Sequence, residues 1–136
     1  MPEPSQADSA LLTAAFDAER ISALRHAVGR CAEAVGLRGQ RLEDYVFAVN
    51  EIITNAVRHA GGRGWLRMWR NGDGLRCEVS DEGSGIPPDR LNGHQQLPPS
   101  FATSGRGLWL ARHLCDLLTV QTSPTGTKIT LIALLS

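Results

Sequence analysis

Two polar side chains, Glu51 and Asn55, interrupt an otherwise apolar helical pattern in the middle of the chain. Because they are four residues apart, a helix places both on one face, one turn from each other. Mg²⁺ prefers oxygen ligands and often takes only one or two from a protein, so the side-chain oxygen of Asn55 is a candidate metal ligand. A carboxylate one turn away can orient or deprotonate an attacking hydroxyl or water, which makes Glu51 the candidate catalytic residue. Taken alone, the pair also fits a solvated helix face.

A second motif, Asp81-x-Gly83-x-Gly85, follows a strand pattern and opens a glycine-rich turn. A carboxylate at a strand end can accept a hydrogen bond from the exocyclic amino group of adenine, whereas guanine presents an oxygen there. Asp81 is therefore the candidate adenine-reading residue. Gly83 and Gly85 let the backbone pass close to the base, and Ile86 completes the predicted binding segment. An ordinary Asp/Gly turn is the alternative.

A third motif, Gly105-Arg106-Gly107, stands before an apolar helix that the periodicity predicts to begin near Leu108. Backbone N–H groups at the start of a helix form an anion site, and glycines allow phosphates to approach them. Gly105, Arg106, Gly107 and Leu108 are therefore predicted to bind phosphate. A flexible helix start is the alternative for this motif taken singly.

The composition restricts the class of protein. The 136 residues fit one domain. The 14 Lys and Arg residues balance the 14 Asp and Glu residues, so the protein has no net charge that would attract it to nucleic acid or to an anionic membrane. Cys31, Cys77 and Cys115 lack zinc-site spacing and are predicted to be buried free thiols in a reducing compartment. The N-terminus does not resemble a signal peptide. We expect a cytoplasmic protein with a flexible tail over residues 1–8, a single domain over 9–136, and no direct binding of nucleic acid or membrane.

The periodicity predicts the elements that must position these residues. Strands are expected over 10–16 and around turns at 71–74 and 123–126, and helices over 19–36, 42–60 and from 108. The proline- and glycine-rich segment 82–106 is predicted to be a mobile lid. Trp65 and Trp69 share strand parity and are expected to pack in a core. The predicted fold is α+β: a two-layer sandwich whose antiparallel or mixed sheet carries helices on one face.

In this order, the motifs resemble those of the GHKL ATP-binding superfamily (Bergerat fold), which includes histidine-kinase catalytic domains, gyrase-type ATPases and small anti-sigma factor serine kinases. The resemblance covers about residues 42–134 and is strongest to the stand-alone anti-sigma kinases. EIITNAVRHA is similar to their N box, DEGSGIP to the adenine-binding box, SGRGLWLARHLCD to the phosphate-binding helix, and GTKITL to the last box. The resemblance implies Glu51 as catalytic carboxylate, Asn55 as Mg²⁺ ligand, Asp81 as adenine reader and Thr127 on the adenine side.

The same resemblance implies ATP and Mg²⁺ as cofactors and a particular role. The protein would be a homodimeric anti-sigma factor that sequesters a sigma factor and phosphorylates a serine or threonine of an anti-anti-sigma (STAS-like) antagonist. One position departs from the family, because Thr103 stands where family kinases often carry a basic lid residue, and Arg106 is the candidate substitute. The alternatives are a non-catalytic regulator whose binding to partners depends on ATP, and a detached histidine-kinase-type ATPase domain.

Overall fold

The computed structural model describes residues 10–59, 61–83 and 103–135, with only the backbone at His59 and residues 103–107. The strands are β1 (Leu12–Asp17), β2 (Arg63–Asn71), β3 (Gly74–Asp81), β4 (Leu117–Ser123) and β5 (Gly126–Leu134). The helices are α1 (Ile21–Ala34), which follows a 3-10 turn (Ala18–Arg20), α2 (Gly39–His59) and α3 (Thr103–Leu114). The predicted tail and most of the predicted lid, with Gly85 and Ile86, lie outside the described residues.

The described strands form one five-stranded sheet in the order β1-β2-β3-β5-β4, and every neighbouring pair is antiparallel. Both predicted hairpins are confirmed. In the first, Gly72 has φ of +61°, a left-handed conformation that glycine adopts without steric cost. The helices cover one side of the sheet, so the predicted α+β sandwich is confirmed.

The hydrophobic core lies between the sheet and the helices. Alternate residues of each strand point toward the helices, and the helices meet them with apolar side chains spaced three or four residues apart. The buried helical residues include Leu24, Val28 and Ala32 of α1, Tyr45, Val49, Ile52, Ile53 and Ala56 of α2, and Leu108 and Ala111 of α3. In the described ranges, none of the helices combines the length and apolar character needed to cross a bilayer.

The tryptophans of β2 depart from the prediction that both pack in a core. Trp69 is buried but lies outside the main core cluster, and Trp65 is 41% exposed. The register explains this, because Leu66 and Met68 pair with Val79 and Cys77 and take the positions under the helices. The odd-numbered residues of β2 therefore point to the opposite side of the sheet.

The three cysteines are free thiols, but only Cys77 is buried, whereas Cys31 and Cys115 are half-buried at the margin of the core. Burial raises the pKa of all three thiols, and that of Cys115 reaches about 11. Burial likewise raises the pKa of the Tyr45 phenol. The neutral form of each group is therefore favoured in the folded protein.

Candidate nucleotide-binding site

Asp81 and Thr127 meet at one end of the sheet. Asp81 ends β3, Thr127 lies at the start of β5, and the two are register partners in the antiparallel ladder. The Thr127 hydroxyl oxygen lies 2.9 Å from that of Thr122 on β4, and Oδ1 of Asp81 accepts a hydrogen bond of 2.9 Å from the Gly83 amide. These bonds fix both side chains, while the second carboxylate oxygen retains its capacity to accept a hydrogen bond from a ligand.

Both residues line the same cavity, whose volume is about 310 Å³. This volume is at the lower end of the usual range for small-molecule sites. Its remaining lining residues are Gln121, Thr122, Ser123, Gly126 and Lys128. Gly126 is part of the last sequence motif, whereas the side chains of the other four were not singled out because they continue an ordinary strand alternation. Thr127 is only 6% exposed and is the sole buried polar residue within the described ranges, which agrees with a role inside a site rather than on the surface.

Gly126 is required by a close backbone approach. A Cβ atom at this position would lie 2.5 Å from the carbonyl oxygen of Asp81 and 3.4 Å from Cα of Glu82. A side chain there would push β5 away from the end of β3. The Gly126-Thr127 pair therefore shapes the cavity by allowing β5 to pass closely over the candidate adenine-reading residue.

Hydrogen bonds from α2 to β5 fix the direction of this helix over the sheet. Near the start of α2, Arg41 donates to the carbonyl oxygen of Leu134 at the end of β5. One turn later, the Tyr45 hydroxyl donates to the carbonyl of Leu131 at 2.9 Å. As α2 advances, its contacts therefore move back along β5, toward the end of the sheet where Asp81 and Thr127 lie.

This direction carries Glu51 and Asn55 toward the end of the sheet that holds the cavity, although neither residue lines it. They follow Tyr45 by six and ten residues, which corresponds to a rise of about 9–15 Å along a helix. Thr127 precedes Leu131 by four residues, which corresponds to about 13 Å along a strand. Glu51 and Asn55 are both half-buried.

The third helix runs back beside the second. Arg41 forms an ion pair of 2.7 Å with Asp116, which follows the end of α3, so the last turn of α3 lies beside the first turn of α2. The 12 residues of α3 span about 18 Å, which carries its N-terminus back to the level of Glu51 and Asn55. The start of the third helix therefore lies at the same end of the sandwich as the cavity.

The start of α3 differs from the prediction. The helix begins at Thr103 rather than near Leu108, so Gly105, Arg106 and Gly107 lie inside its first turns. The first four N–H groups of a helix lack intrahelical partners, so Gly105 and Arg106 still belong to the part that can bind an anion, whereas Gly107 and Leu108 lie beyond it. The Leu108 side chain is 4% exposed and packs in the core.

The donor set at this end of the molecule fits Mg²⁺ in its chemistry. Asn55 offers an amide oxygen and Glu51 a carboxylate, and hard oxygen ligands in small number, completed by phosphate and water, are what this ion accepts. The assignment of Asn55 as the protein ligand remains a prediction, as do the roles of Glu51, Asp81, Gly83 and Thr127.

Comparison with known proteins agrees with this geometry. The histidine kinase-like ATPase domain family matches residues 14–133, so the chain belongs to this family of ATP-binding domains. The sensor protein kinase PilS of Pseudomonas aeruginosa is 34% identical over 83 residues, a match that covers 50% of this chain and 15% of PilS. The mycobacterial sensor histidine kinase MprB has the same fold, with a TM-score of 0.57 at 18% identity over 90% of this chain and 97% of the MprB chain.

Proposed function

We propose that the protein is a cytoplasmic, homodimeric anti-sigma factor that uses Mg-ATP to phosphorylate a serine or threonine on an anti-anti-sigma antagonist and sequesters a sigma factor. Membership of the ATPase-domain family supports the nucleotide part of the proposal. The resemblance of the four motifs to those of anti-sigma kinases supports the regulatory part. The observation that supports phosphoryl transfer is the course of α2, whose hydrogen bonds to β5 carry Glu51 and Asn55 toward the end of the sheet that holds the Asp81–Thr127 cavity.

Each residue has one task in this proposal. Asp81 accepts a hydrogen bond from the adenine amino group, Thr127 lines the base, and the N–H groups at the start of α3 hold the phosphates. Asn55 would hold Mg²⁺, which neutralises charge on the phosphates when it is bound. The oxygen of the acceptor hydroxyl bonds to the terminal phosphorus of ATP while Glu51 takes the hydroxyl proton. The bond between this phosphorus and the bridging oxygen breaks, and ADP leaves with the electron pair of that bond.

The nature of the acceptor follows from the need for a base. A serine or threonine hydroxyl must lose its proton during attack, whereas a neutral imidazole attacks through a ring nitrogen lone pair. A carboxylate base is therefore needed by a hydroxyl acceptor, which is the acceptor in this proposal, and it can also take the N–H proton that an imidazole gives up after attack. A histidine acceptor is the second candidate, because PilS and MprB are named as sensor kinases, and MprB as a histidine kinase.

Nucleotide specificity is tested first, by calorimetry with ADP and GDP. We expect ADP to bind and GDP to bind far more weakly, because guanine presents an oxygen to the Asp81 carboxylate. Asp81→Ala should abolish the preference for adenine, whereas Asp73→Ala, in the exposed turn at the opposite end of β3, should leave it unchanged. Equal affinities for ADP and GDP in the wild-type protein would refute the role of Asp81.

Phosphoryl transfer is tested with radiolabelled ATP, a candidate antagonist and a phosphoacceptor-histidine fragment. Glu51→Gln preserves the size of the side chain and should retain nucleotide binding while slowing transfer by about 10²–10⁴-fold, the usual loss when a general base is removed. The matched control is Glu43→Gln, an exposed glutamate on the same helix. Label that survives acid identifies a hydroxyl acceptor, since phosphohistidine is acid-labile.

The same assay separates the alternatives. A non-catalytic regulator would show ATP-dependent association with its partner and no label with either wild type or Glu51→Gln. Acid-labile label on the histidine fragment would favour a histidine-kinase-type domain. Full-rate labelling of the antagonist by Glu51→Gln would exclude Glu51 as the base.

A further inference from the structure

The side of the sheet that faces away from the helices carries an unusual set of side chains. We call this side the open face, and its centre consists of Trp65, Arg67, Trp69, Arg76, Glu78 and Lys128. The register places these residues next to one another on three adjacent strands, β2, β3 and β5. None of them belongs to the candidate nucleotide site except Lys128, which also borders its cavity.

The open face exposes large apolar side chains. Trp65 is 41% exposed, Leu117 55% and Leu134 51%, and they lie on β2, β4 and β5 of this face. Beside Trp65 is a cavity of about 440 Å³, whose other open-face lining residues are Thr13, Ala15, Arg67, Glu78 and Ser80. An exposed tryptophan beside a cavity and an arginine is typical of the hot spots of protein–protein interfaces.

The charges of the open face are unbalanced. Glu78 is the acidic residue at its centre, and its carboxylate forms ion pairs with two cations, Arg67 at 3.6 Å and Lys128 at 3.9 Å. Arg67 also lies over the ring of Trp69, 4.5 Å from its centroid. The third cation, Arg76, is half-buried beside Trp69 and forms no ion pair with a carboxylate in the described part of the chain.

Two buried donors accompany this surplus of positive charge. Nε of Arg76 and Nε1 of Trp69 are both inaccessible to solvent, and within the described ranges neither has a hydrogen-bond acceptor. The register pairs these two residues directly across β2 and β3. A half-buried guanidinium without a counter-charge is costly, and a carboxylate supplied by another molecule would relieve that cost.

We propose that the open face is a docking surface for a partner protein that presents a carboxylate flanked by apolar side chains. The carboxylate pairs with Arg76, and an apolar side chain enters the cavity beside Trp65. A second copy of this chain fits poorly, because two faces that each have three cations around one carboxylate would meet with like charges. The surface lies on the side of the sheet opposite to the helices, and its role does not depend on the proposed kinase activity.

The proposal is tested by selection from a phage-displayed library of random peptides, with the full chain as target. Peptides are selected on the wild type and then compared for binding to Trp65→Ser, Arg76→Gln and Arg30→Gln. Arg30 is an exposed arginine of α1, so its variant removes the same charge from the other layer of the molecule. Circular dichroism and thermal melting establish that each variant is folded.

We expect the enriched peptides to combine aspartate or glutamate with leucine or an aromatic residue. Their affinity should fall at least tenfold in Arg76→Gln and Trp65→Ser and remain unchanged in Arg30→Gln. In ¹⁵N spectra, the selected peptide should shift the indole signal of Trp69 and the Nε–H signal of Arg76, while the indole of Trp109 on α3 serves as an internal control.

Several outcomes would overturn the proposal. These are basic or neutral consensus peptides, equal affinity for wild type and Arg76→Gln, or an equal loss in Arg30→Gln, which would indicate a non-specific charge effect. The last such outcome comes from analytical ultracentrifugation of the wild type and Trp65→Ser. A dimer that dissociates only in Trp65→Ser would show that the open face binds a second copy instead.

Discussion

Replacing Gly126 by alanine tests whether the close passage of β5 over β3 builds the nucleotide cavity. The new Cβ would lie 2.5 Å from the carbonyl oxygen of Asp81. Carbon–oxygen contacts that are comfortable keep roughly 3.3–3.6 Å, so the two strands must separate locally by about 1 Å. The oxygen belongs to the main chain and Cβ is bonded rigidly to it, so no flexible side chain can absorb the movement. We expect Gly126→Ala to destabilise the protein by about 1–3 kcal/mol, the usual cost of overpacking.

The matched control is Gly74→Ala, at the opposite end of β3. A Cβ atom at Gly74 would meet Ile132 at 3.5 Å and the carbonyl of Asn71 at 3.6 Å, which are ordinary contacts. This variant should not lose stability, because alanine restricts the unfolded chain more than glycine does. The difference between the two variants therefore measures the contact with Asp81 and not the loss of glycine as such.

Thermal unfolding and ADP calorimetry are the two assays. For a chain of this length, about 3–5 °C of melting temperature corresponds to each kcal/mol. If the displacement of Asp81 in Gly126→Ala removes about 1.4 kcal/mol of binding free energy, the affinity for ADP falls tenfold. A Gly126→Ala protein with the melting temperature and ADP affinity of Gly74→Ala would refute the steric argument. Loss of stability without loss of affinity would separate Gly126 from the nucleotide site.

Two further predictions concern the core. Tyr45→Phe removes the buried hydrogen bond to the carbonyl of Leu131 and should cost about 1 kcal/mol in urea denaturation, whereas an unchanged midpoint would mean that this bond does not anchor α2. The second prediction is alkaline destabilisation. Burial raises the pKa of Cys115 from 9.0 to about 11. The stability that its neutral thiol contributes is therefore fully present below pH 9.0 and is lost as the pH rises toward 11. Cys77 and Tyr45 add to this loss in the same direction. Unfolding free energies that stay level from about pH 8 to 11 would contradict it.

Local signals explain the success of the sequence-based assignment of strands and helices. The Asn-Gly-Asp-Gly turn at 71–74 requires a positive φ that glycine supplies, and β3 alternates cleanly between apolar and polar residues. The first turns of α3 carry no such signal, because Gly105 and Gly107 are poor helix formers. Leu108 and Ala111, farther along this helix, pack in the core and stabilise the helix as a whole, and packing between distant segments is not visible in a local pattern.

The orientation of β2 could not be predicted from its own residues. Both of its sides are apolar, with Leu66 and Met68 on one and Trp65 and Trp69 on the other. Which side of β2 faces the helices is determined by the neighbouring strand β3, whose apolar residues all lie on one side and pair with Leu66 and Met68. A strand with two apolar sides in a sheet that carries helices on only one of them must leave apolar surface uncovered. The exposed Trp65 is thus a consequence of the fold, and it forms part of the proposed docking surface.

Candidate residues of the site could be named from the sequence one motif at a time, but the way they assemble could not be predicted. Asp81 and Thr127 are far apart in the sequence and become neighbours only through the register of β3 with β5. Glu51 lies toward the same end of the sheet because the hydrogen bonds of α2 to β5 set the direction of that helix. Each motif alone also fits an ordinary turn or helix face, and motif recognition gains its force from the order of the motifs. The structure adds a separate argument, since the register of β3 with β5 joins Asp81 to Thr127 and the hydrogen bonds of α2 direct Glu51 toward the same end of the sandwich.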